Sequence, residues 1–122
     1  MKLEAVGIKG DILSWIRSFL AGRTQSVRVE GETSGWQNVL SGIPQGSVLG
    51  PLLFVIFIND MPEVVKRSIC KLFADDCKLY GAIESNDDSK LKTDLANLQT
   101  WSNEWQLPFN ATKCKVMHFW ER

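Results

Sequence analysis

The sequence predicts an α+β domain in which helices alternate with antiparallel hairpins. Apolar residues recur at helical spacing near the N-terminus and again after residue 89, whereas the segments between them alternate or form short apolar runs bounded by turn residues. The 122 residues are enough for one domain with a modest core. No linker, repeat or low-complexity stretch interrupts them, so residues 1–122 are predicted to form a single domain.

A helix and a hairpin are predicted in the first third. Asp11 is a good N-cap and Gly22 a good C-cap for the helix. The alternation over 25–30, the turn-like 31–35 and the return over 36–40 predict a β-hairpin. The predicted helix has one apolar stripe, formed by Ile12, Trp15, Ile16, Phe19 and Leu20.

A loop that becomes an apolar helix is predicted next. Glycines and a proline punctuate 41–46, and Ser47 can cap the following helix. Pro51 is tolerated only if it lies in the first turn of that helix. The helix is predicted to run to about Val65, with a break at Pro62 as an option.

Two apolar runs, 68–73 and 77–83, flank Ala74-Asp75-Asp76 and predict two strands joined by an acidic turn. A second long helix is predicted from 86–89, ending at Pro108. Its apolar face is assigned to Leu91, Leu95, Leu98 and Trp105, and its solvated face to Lys90, Lys92, Asp94 and Asn97.

Composition limits the classes of function. Lys plus Arg equals Asp plus Glu, 14 each, so the chain lacks the basic excess of a stand-alone nucleic-acid binder, and other parts of a larger protein would supply much of any phosphate affinity. Cys70, Cys77 and Cys114 lack CxxC spacing and are predicted to be free thiols in a reducing, intracellular compartment. The longest apolar run, 48–58, is too short to span a bilayer, so no membrane association is expected.

Asp75 and Asp76 are candidate metal ligands. Mg²⁺ prefers oxygen ligands, and carboxylates at a hairpin tip can project toward such an ion. Adjacent strand residues point in opposite directions, so the two are not expected to ligate equally. The alternative is a solvated turn, in which Asp is common. Asp87-Asp88 is a second acidic pair, but it precedes a predicted helix. Carboxylates are common there because the positive end of the helix dipole stabilises them.

The loop before the apolar helix is a candidate contact for a flat ligand. Glycine permits close backbone approach, a glutamine amide can hydrogen-bond a base or a ribose, and the helix start that follows attracts phosphate. The alternative is an ordinary loop-to-helix junction with tight packing. The residues concerned are Gly42, Gly46 and Gly50, spaced four apart, with Pro44 and Gln45 between them.

Four stretches closely resemble the reverse transcriptase of LINE-type, non-long-terminal-repeat retrotransposons. They are GIKGDILSWIRSFLAGRTQSVRVEGETSGW, SGIPQGSVLGPLLFVIFINDMP, LFADDCKLY and LQTWSNEWQLPFNATKCKVMHF. Their order and spacing make the resemblance specific, and it covers essentially the whole chain. It implies a partial polymerase palm, with an antiparallel hairpin carrying FADD at its tip and packed on α-helices. The intact enzyme would be an RNA-directed DNA polymerase that uses two Mg²⁺ ions, an RNA template, a DNA primer and deoxynucleotides.

The resemblance also implies roles for individual residues. Asp75 matches a ligand of the catalytic metals, and Asp76 matches its supporting acid, so both are assigned to the catalytic and metal site. Lys113 matches a lysine that lies near the nucleotide phosphates and assists proton transfer; the alternative is a solvated lysine beside Cys114. The positions matching nucleotide or template contacts are Pro44, Gln45, Gly46 and Phe73.

The chain also departs from this family's pattern. Similar enzymes carry a further metal-binding aspartate on a strand before the PQG loop, and no earlier acid here has that apolar strand context. The upstream aspartate motif and the thumb are therefore predicted to be missing, which would leave the isolated chain inactive and poorly stable or self-associating. Two alternatives are a non-enzymatic interaction module, with exposed tryptophans as contacts, and a functionless remnant of a transposable element.

Overall fold

The computed structural model describes residues 2–85 and 87–119, which fall into two compact units, Met1–Asn59 and Asp60–Arg122. Helices and small antiparallel sheets occur together, and the predicted α+β class is confirmed. The described residues contain no helix long and apolar enough to cross a membrane.

The first unit contains three helices and a hairpin built from four short strands. The antiparallel ladders pair β1 with β4 and β2 with β3. The elements are α1 (Lys2–Ala5), α2 (Gly10–Leu20), β1 (Thr24–Gln25), β2 (Arg28–Val29), β3 (Glu32–Thr33), β4 (Gln37–Asn38) and α3 (Leu49–Ile58).

The N-cap of helix α2 is Lys9, two residues before the predicted Asp11. Asp11 is therefore not the N-cap but lies in the first turn, where its carboxylate interacts favourably with the positive end of the helix dipole. Leu13 and Ile16 are the buried residues of this helix, whereas Trp15 is 59% exposed and stacks on Phe19 with ring centroids 5.9 Å apart. The predicted apolar stripe is thus only partly buried.

The predicted hairpin over 25–40 is confirmed, with a tighter turn than expected. Glu30 and Gly31 connect β2 to β3, and both have positive φ angles, 51° and 92°. Two consecutive positive φ angles are the signature of a type I′ turn, whose twist matches that of paired strands. Between the two ladders, the Ser34 hydroxyl accepts the backbone N–H of Val27 at 2.9 Å.

Helix α3 begins as the sequence indicates but ends earlier. Ser47 Oγ accepts the N–H of Gly50 at 2.9 Å, and Pro51 lies in the first turn. The prediction that this helix runs to about Val65 was wrong, because α3 ends at Ile58 and a separate 3₁₀ helix follows at Met61–Val64. Pro62 lies in the first turn of this second helix, where its missing N–H costs no hydrogen bond.

The second unit contains that 3₁₀ helix, a two-stranded sheet and one long helix. Strand β5 (Ile69–Phe73) pairs antiparallel with β6 (Asp76–Tyr80), and α4 spans Ser89–Glu104. One face of the β5–β6 hairpin is half-buried and the other is exposed. The half-buried face consists of Cys70, Leu72, Cys77 and Leu79.

Helix α4 buries a different face from the predicted one. Asp94 is fully buried and Leu95 is 50% exposed, so the assignment of Asp94 to the solvated face and Leu95 to the apolar face was wrong. Consecutive residues lie about 100° apart around a helix axis. A rotation of the helix by that angle therefore moves Leu95 out of the buried face and Asp94 into it. The buried residues of α4 are Asp94, Leu98, Trp101 and Ser102.

Candidate functional site

The acidic turn is a two-residue connection. Phe73 and Asp76 are paired directly across the ladder, so only Ala74 and Asp75 lie between the strands. Ala74 has a φ of +49°, a left-handed conformation that is uncommon for a residue with a Cβ. Such strain costs about 1–2 kcal/mol and often marks functional positions. The turn therefore holds Asp75 outside the regular strands and leaves it in solvent.

The two aspartates occupy different positions, as expected for neighbours at a strand end. Asp75 belongs to the turn, whereas Asp76 is the first residue of β6 and shares the exposed face with Phe73, which is 83% exposed. Both carboxylates are exposed. Within residues 2–85 and 87–119, no three His, Cys, Asp or Glu side chains converge on a point where a metal ion could be held.

The loop before α3 is organised by Ser47. Its hydroxyl donates to the Pro44 carbonyl at 2.9 Å while accepting the N–H of Gly50. This bridge fixes the loop to the first turn of the helix, with Pro44 half-buried and the following Gln45 and Gly46 exposed. The Gln45 amide is thus presented to solvent from an anchored backbone.

Glycine is required at the three positions of this loop for two different structural reasons. Gly42 and Gly46 have φ angles of +80° and +78°, which favour glycine, and a Cβ at either position would meet nothing within 4 Å. At Gly50 a Cβ would lie 2.8 Å from Ser47 Oγ and 3.0 Å from the Pro44 carbonyl oxygen. Tight packing therefore explains Gly50, as the loop-to-helix alternative proposes, and turn geometry explains the other two.

Arg23 is a site residue that the sequence reasoning missed. Its Nε donates to the Leu20 carbonyl at 2.9 Å, and its Nη2 donates to the Gly42 carbonyl at 2.6 Å. The guanidinium thereby joins the end of α2 to the start of the loop. An arginine directly after a helix C-cap glycine is a signal of this kind, since cations there bind the last carbonyls. A shallow pocket of about 350 Å³ lies beside it, lined by Arg23, Thr24, Gln25, Val39, Ile43, Pro44 and Gln45.

Asp94 is the second residue that was missed. Its Oδ1 accepts the N–H of Lys66 at 2.9 Å, and its Oδ2 accepts those of Arg67 and Ser68 at 2.9 and 2.6 Å. One turn along α4, Asn97 Nδ2 donates to the Val64 carbonyl at 3.1 Å. Burial raises the pKa of the Asp94 carboxyl, but the hydrogen bonds from Lys66, Arg67 and Ser68 lower it more, so the pKa lies below its usual 3.8.

The remaining predicted residues fall into separate groups. Phe73, Asp75 and Asp76 belong to the β5–β6 hairpin of the second unit, and the loop residues belong to the first unit. Lys113 is exposed in a turn after α4, where its backbone N–H donates to the Asn110 carbonyl at 3.0 Å. The predicted site residues therefore belong to three separate segments of the chain: the loop before α3, the β5–β6 hairpin and the turn after α4.

Comparison with known proteins agrees with the motifs. The family model for reverse transcriptase (RNA-dependent DNA polymerase) matches residues 1–121. The chain is 36% identical over 110 residues to a probable RNA-directed DNA polymerase from transposon X-element of Drosophila melanogaster, covering 85% of this chain and 12% of that protein. It is 35% identical over 116 residues to the RNA-directed DNA polymerase from mobile element jockey of the same species, covering 88% of this chain and 13% of that protein.

A jockey polymerase of Drosophila funebris is also 35% identical, over 115 residues, and the chain spans about an eighth of the length of these curated relatives. No solved structure matches the chain significantly. The predicted resemblance to retrotransposon reverse transcriptases is confirmed. The chain belongs to the reverse transcriptase (RNA-dependent DNA polymerase) family.

Proposed function

We propose that this chain is the segment of a retrotransposon RNA-directed DNA polymerase that supplies one metal-binding carboxylate and one wall of the nucleotide site. The observation that carries the proposal is the position of Asp75, in a strained two-residue turn of a segment that matches the family model. A carboxylate in such a turn has a fixed backbone and a free side chain. In the intact enzyme the β5–β6 hairpin is the palm hairpin and packs on α-helices.

Mg²⁺ fits the chemistry of this turn, although the turn alone is not a complete site. Carboxylate oxygens are the ligands that Mg²⁺ prefers, and Asp75 is exposed and free to coordinate. Two Mg²⁺ ions, if bound, would supply charge stabilisation for phosphoryl transfer, and Asp75 is a residue of this turn that would help to hold them. One tip carboxylate cannot hold both ions, and the described residues offer no third converging ligand. We assign Asp75 as one ligand and Asp76 as its supporting acid, with other parts of the polymerase completing the set.

The loop residues of the first unit are proposed to contact the nucleotide or the template in the intact enzyme. Pro44 is fixed through its carbonyl to Ser47, so the exposed amide of Gln45 is carried on a restrained backbone. A restrained amide loses less entropy when it hydrogen-bonds a base or a ribose. Gly46, with a φ of +78° and no neighbour at its Cβ position, leaves room for a flat ligand. Phe73, in the second unit, is assigned to nucleotide or template contact in the intact enzyme on the strength of the family match.

Lys113 is proposed to neutralise nucleotide phosphates and to assist proton transfer. Its exposed ammonium is a compact point charge suited to phosphate. The RNA template, the DNA primer and the deoxynucleotides are the partners of the intact enzyme. The isolated chain is expected to show no appreciable primer extension with Mg²⁺, because residues 2–85 and 87–119 hold no complete ligand set.

A chimera tests the function. The matching segment of the Drosophila melanogaster jockey polymerase is replaced by this chain, and primer extension on a primed RNA template is measured with Mg²⁺. The chimera should extend the primer, and Asp75→Ala should lower the rate by more than about 100-fold, since even groups that only orient a metal ligand contribute about 10–100-fold.

The chain supplies its own matched control for that experiment. Asp87 and Asp88 are a second acidic pair, at the start of α4, and their replacement by alanine should leave the rate near that of the chimera. Equal rates for the Asp75→Ala chimera and its parent would overturn the assignment of Asp75. Primer extension by the isolated 122-residue chain that Asp75→Ala abolishes would show instead that the ligand set is complete.

A further inference from the structure

Two thiols lie next to each other on the half-buried face of the β5–β6 hairpin. Cys70 in β5 pairs with Leu79, and Cys77 in β6 pairs with Leu72, so the two cysteines are diagonal neighbours across the ladder. Their Sγ atoms are 3.6 Å apart, and either thiol can donate a hydrogen bond to the other. The hairpin register therefore brings together two nucleophilic side chains that the proposed function does not use.

The third cysteine is in a different environment. Cys114 is exposed in the turn after α4, where its thiol donates to the Asn110 carbonyl at 3.4 Å. Cys70 and Cys77 are half-buried and in contact with each other. Oxidation is therefore expected to have two outcomes, a bond within the chain at the hairpin pair and a mixed disulfide with a small thiol at Cys114.

We propose that Cys70 and Cys77 form a reversible disulfide by exchange with a small-molecule disulfide such as oxidised glutathione. One cysteine attacks the small disulfide as its thiolate, which gives a mixed disulfide and releases one small thiol. The second cysteine then attacks the cysteine sulfur of this mixed disulfide, which forms the bond within the chain and releases the second small thiol. The pair loses two protons and two electrons, and the small disulfide gains them as two thiols. This modification site goes beyond the proposed function and does not depend on it.

The geometry of the pair favours a bond that is easily reduced. Bond formation brings the sulfur atoms about 1.5 Å closer than they are in the thiol pair. Diagonal neighbours on paired strands are about 7–8 Å apart, slightly more than the Cα separation of about 4.4–6.8 Å that is usual for disulfides. The strands must therefore move together locally, and a disulfide under such strain is more readily reduced than a structural one.

The bond would cross-link the two strands that carry the acidic turn. Cys77 directly follows Asp76, and the segment from Cys70 to Cys77 contains the whole turn in eight residues. Closing an eight-residue loop restricts the unfolded chain, and the loop-entropy model gives a factor of roughly 60 in favour of the folded state. The strain of the diagonal pair lowers this factor, so we expect a net effect of about tenfold on the folding equilibrium.

A glutathione titration tests the proposal. The 122-residue chain, at low protein concentration, is equilibrated with oxidised and reduced glutathione in buffer and in concentrated urea. The samples are quenched with acid and unfolded, and the free thiols are blocked with N-ethylmaleimide before mass spectrometry. In buffer the disulfide should join the tryptic peptides Ser68–Lys71 and Leu72–Lys78.

The comparison between buffer and urea separates folded geometry from mere closeness along the chain. At fixed glutathione concentrations, the ratio of disulfide to dithiol should be about tenfold higher in buffer, because the factor by which the bond favours folding also favours the bond in the folded chain. The readout is an equilibrium, so the slow reaction of half-buried thiols affects only the time needed to reach it.

Single serine variants act as controls. Cys114→Ser keeps the hairpin pair and should reach the same disulfide fraction as the parent. Cys70→Ser and Cys77→Ser each leave one hairpin thiol, and they should form mixed disulfides with glutathione but no disulfide within the chain. The oxidised Cys114→Ser chain should unfold in urea with an equilibrium constant about tenfold smaller than that of its reduced form, as circular dichroism can show, and dithiothreitol should reverse the change.

Four results would overturn the proposal. The first is the absence of a bond between Cys70 and Cys77 in buffer when Cys114 already carries glutathione. The second is an equal ratio of disulfide to dithiol in buffer and in urea, and the third is a bond that joins Cys114 to a hairpin cysteine in preference. The fourth is a hairpin disulfide that excess reduced glutathione leaves intact, because it would be a structural bond. The assay contains no catalytic step, so its outcome is independent of primer extension by the chimera.

Discussion

Asp94 Oδ2 accepts the backbone N–H of Ser68 at 2.6 Å, and this bond joins the middle of α4 to the residue before β5. The same carboxylate also accepts the N–H groups of Lys66 and Arg67, so it satisfies three consecutive donors. A carboxylate in a nest of backbone N–H groups is held by charge-assisted hydrogen bonds. The Asp94 side chain therefore fixes residues 66–68, the segment that precedes the β5–β6 hairpin.

Replacing Asp94 should be the most damaging single change in the second unit. Asp94→Ala would leave three N–H groups without their acceptor and is expected to lower the free energy of unfolding by about 3 kcal/mol or more. Urea unfolding measures the change. Asp11→Ala, at an exposed position in the first turn of α2, is the matched control and should cost much less. Similar losses in the two variants would contradict this account.

Acid should destabilise the chain through the same carboxyl. The pKa of Asp94 is lowered in the folded state, so the unfolded chain binds more protons as the pH falls, and stability is lost below pH of about 4. Above the usual pKa of 3.8 the stabilisation is fully present. Unfolding midpoints measured from pH 6 down to pH 2.5 should fall, and Asp94→Asn should fall less steeply than the parent. Parallel curves would show that other groups dominate.

Gly50 should be intolerant of a side chain. A Cβ there would contact Ser47 Oγ and the Pro44 carbonyl, so Gly50→Ala should break the hydrogen bonds that anchor the loop to α3. We expect a lower melting temperature than for Gly46→Ala, where only the positive φ opposes alanine. Adding Ser47→Ala to Gly50→Ala should cost less than the sum of the single changes, because both remove the same contact. Full additivity would contradict this.

The cysteines should differ in reactivity. Cys70 and Cys77 are diagonal neighbours on the half-buried face of the β5–β6 hairpin, with their sulfur atoms 3.6 Å apart, while Cys114 is exposed. Burial and the hydrogen bond with Cys70 raise the pKa of Cys77 to about 12, so almost no thiolate is present at pH 8. Iodoacetamide at pH 8 should therefore label Cys114 before Cys77, as peptide mass spectrometry can show. Equal labelling rates would rule out a shielded Cys77.

The isolated chain should self-associate or be poorly stable. Large apolar side chains remain in solvent, including Trp36 at 70%, Leu40 at 93% and Val48 at 98% exposure. Apolar surface of this kind promotes association when it is contiguous. Sedimentation velocity over a range of concentrations should show species heavier than the monomer, or the melting temperature should change with concentration. A monomer with a sharp, concentration-independent melt would refute the prediction.

Local signals predicted the local elements. The alternation over 25–40 identified the first hairpin, and Ser47 with Pro51 indicated where α3 begins, because these features depend on neighbours within a few residues. The contacts of Asp94, and the contact of Arg23 with Gly42, could not be assigned in this way. The donors to Asp94 lie 26–28 residues away, and the Gly42 carbonyl lies 19 residues from Arg23. A polar residue on a predicted helix gives no sign that distant backbone groups will surround it.

The candidate site was predicted to a similar extent. Its motifs identified the family, and the acidic turn and the anchored loop follow from their own glycine, proline and aspartate residues. The apolar runs predicted a turn of Ala74, Asp75 and Asp76, whereas the register pairs Asp76 with Phe73 and so places Asp76 in β6. The bridging role of Arg23 requires two segments to meet, which no local pattern specifies.

The direct pairing of Phe73 with Asp76 makes the β5–β6 turn sensitive to insertions. Side chains alternate along a strand with a period of two, so one added residue after Asp75 would turn every side chain of β6 to the opposite face. Lys78 and Tyr80 would then point inward, and Cys77 and Leu79 would point to solvent. A substitution in this turn changes the side chain at one position. The insertion of a single codon would instead exchange the half-buried and the exposed faces of β6 along its whole length.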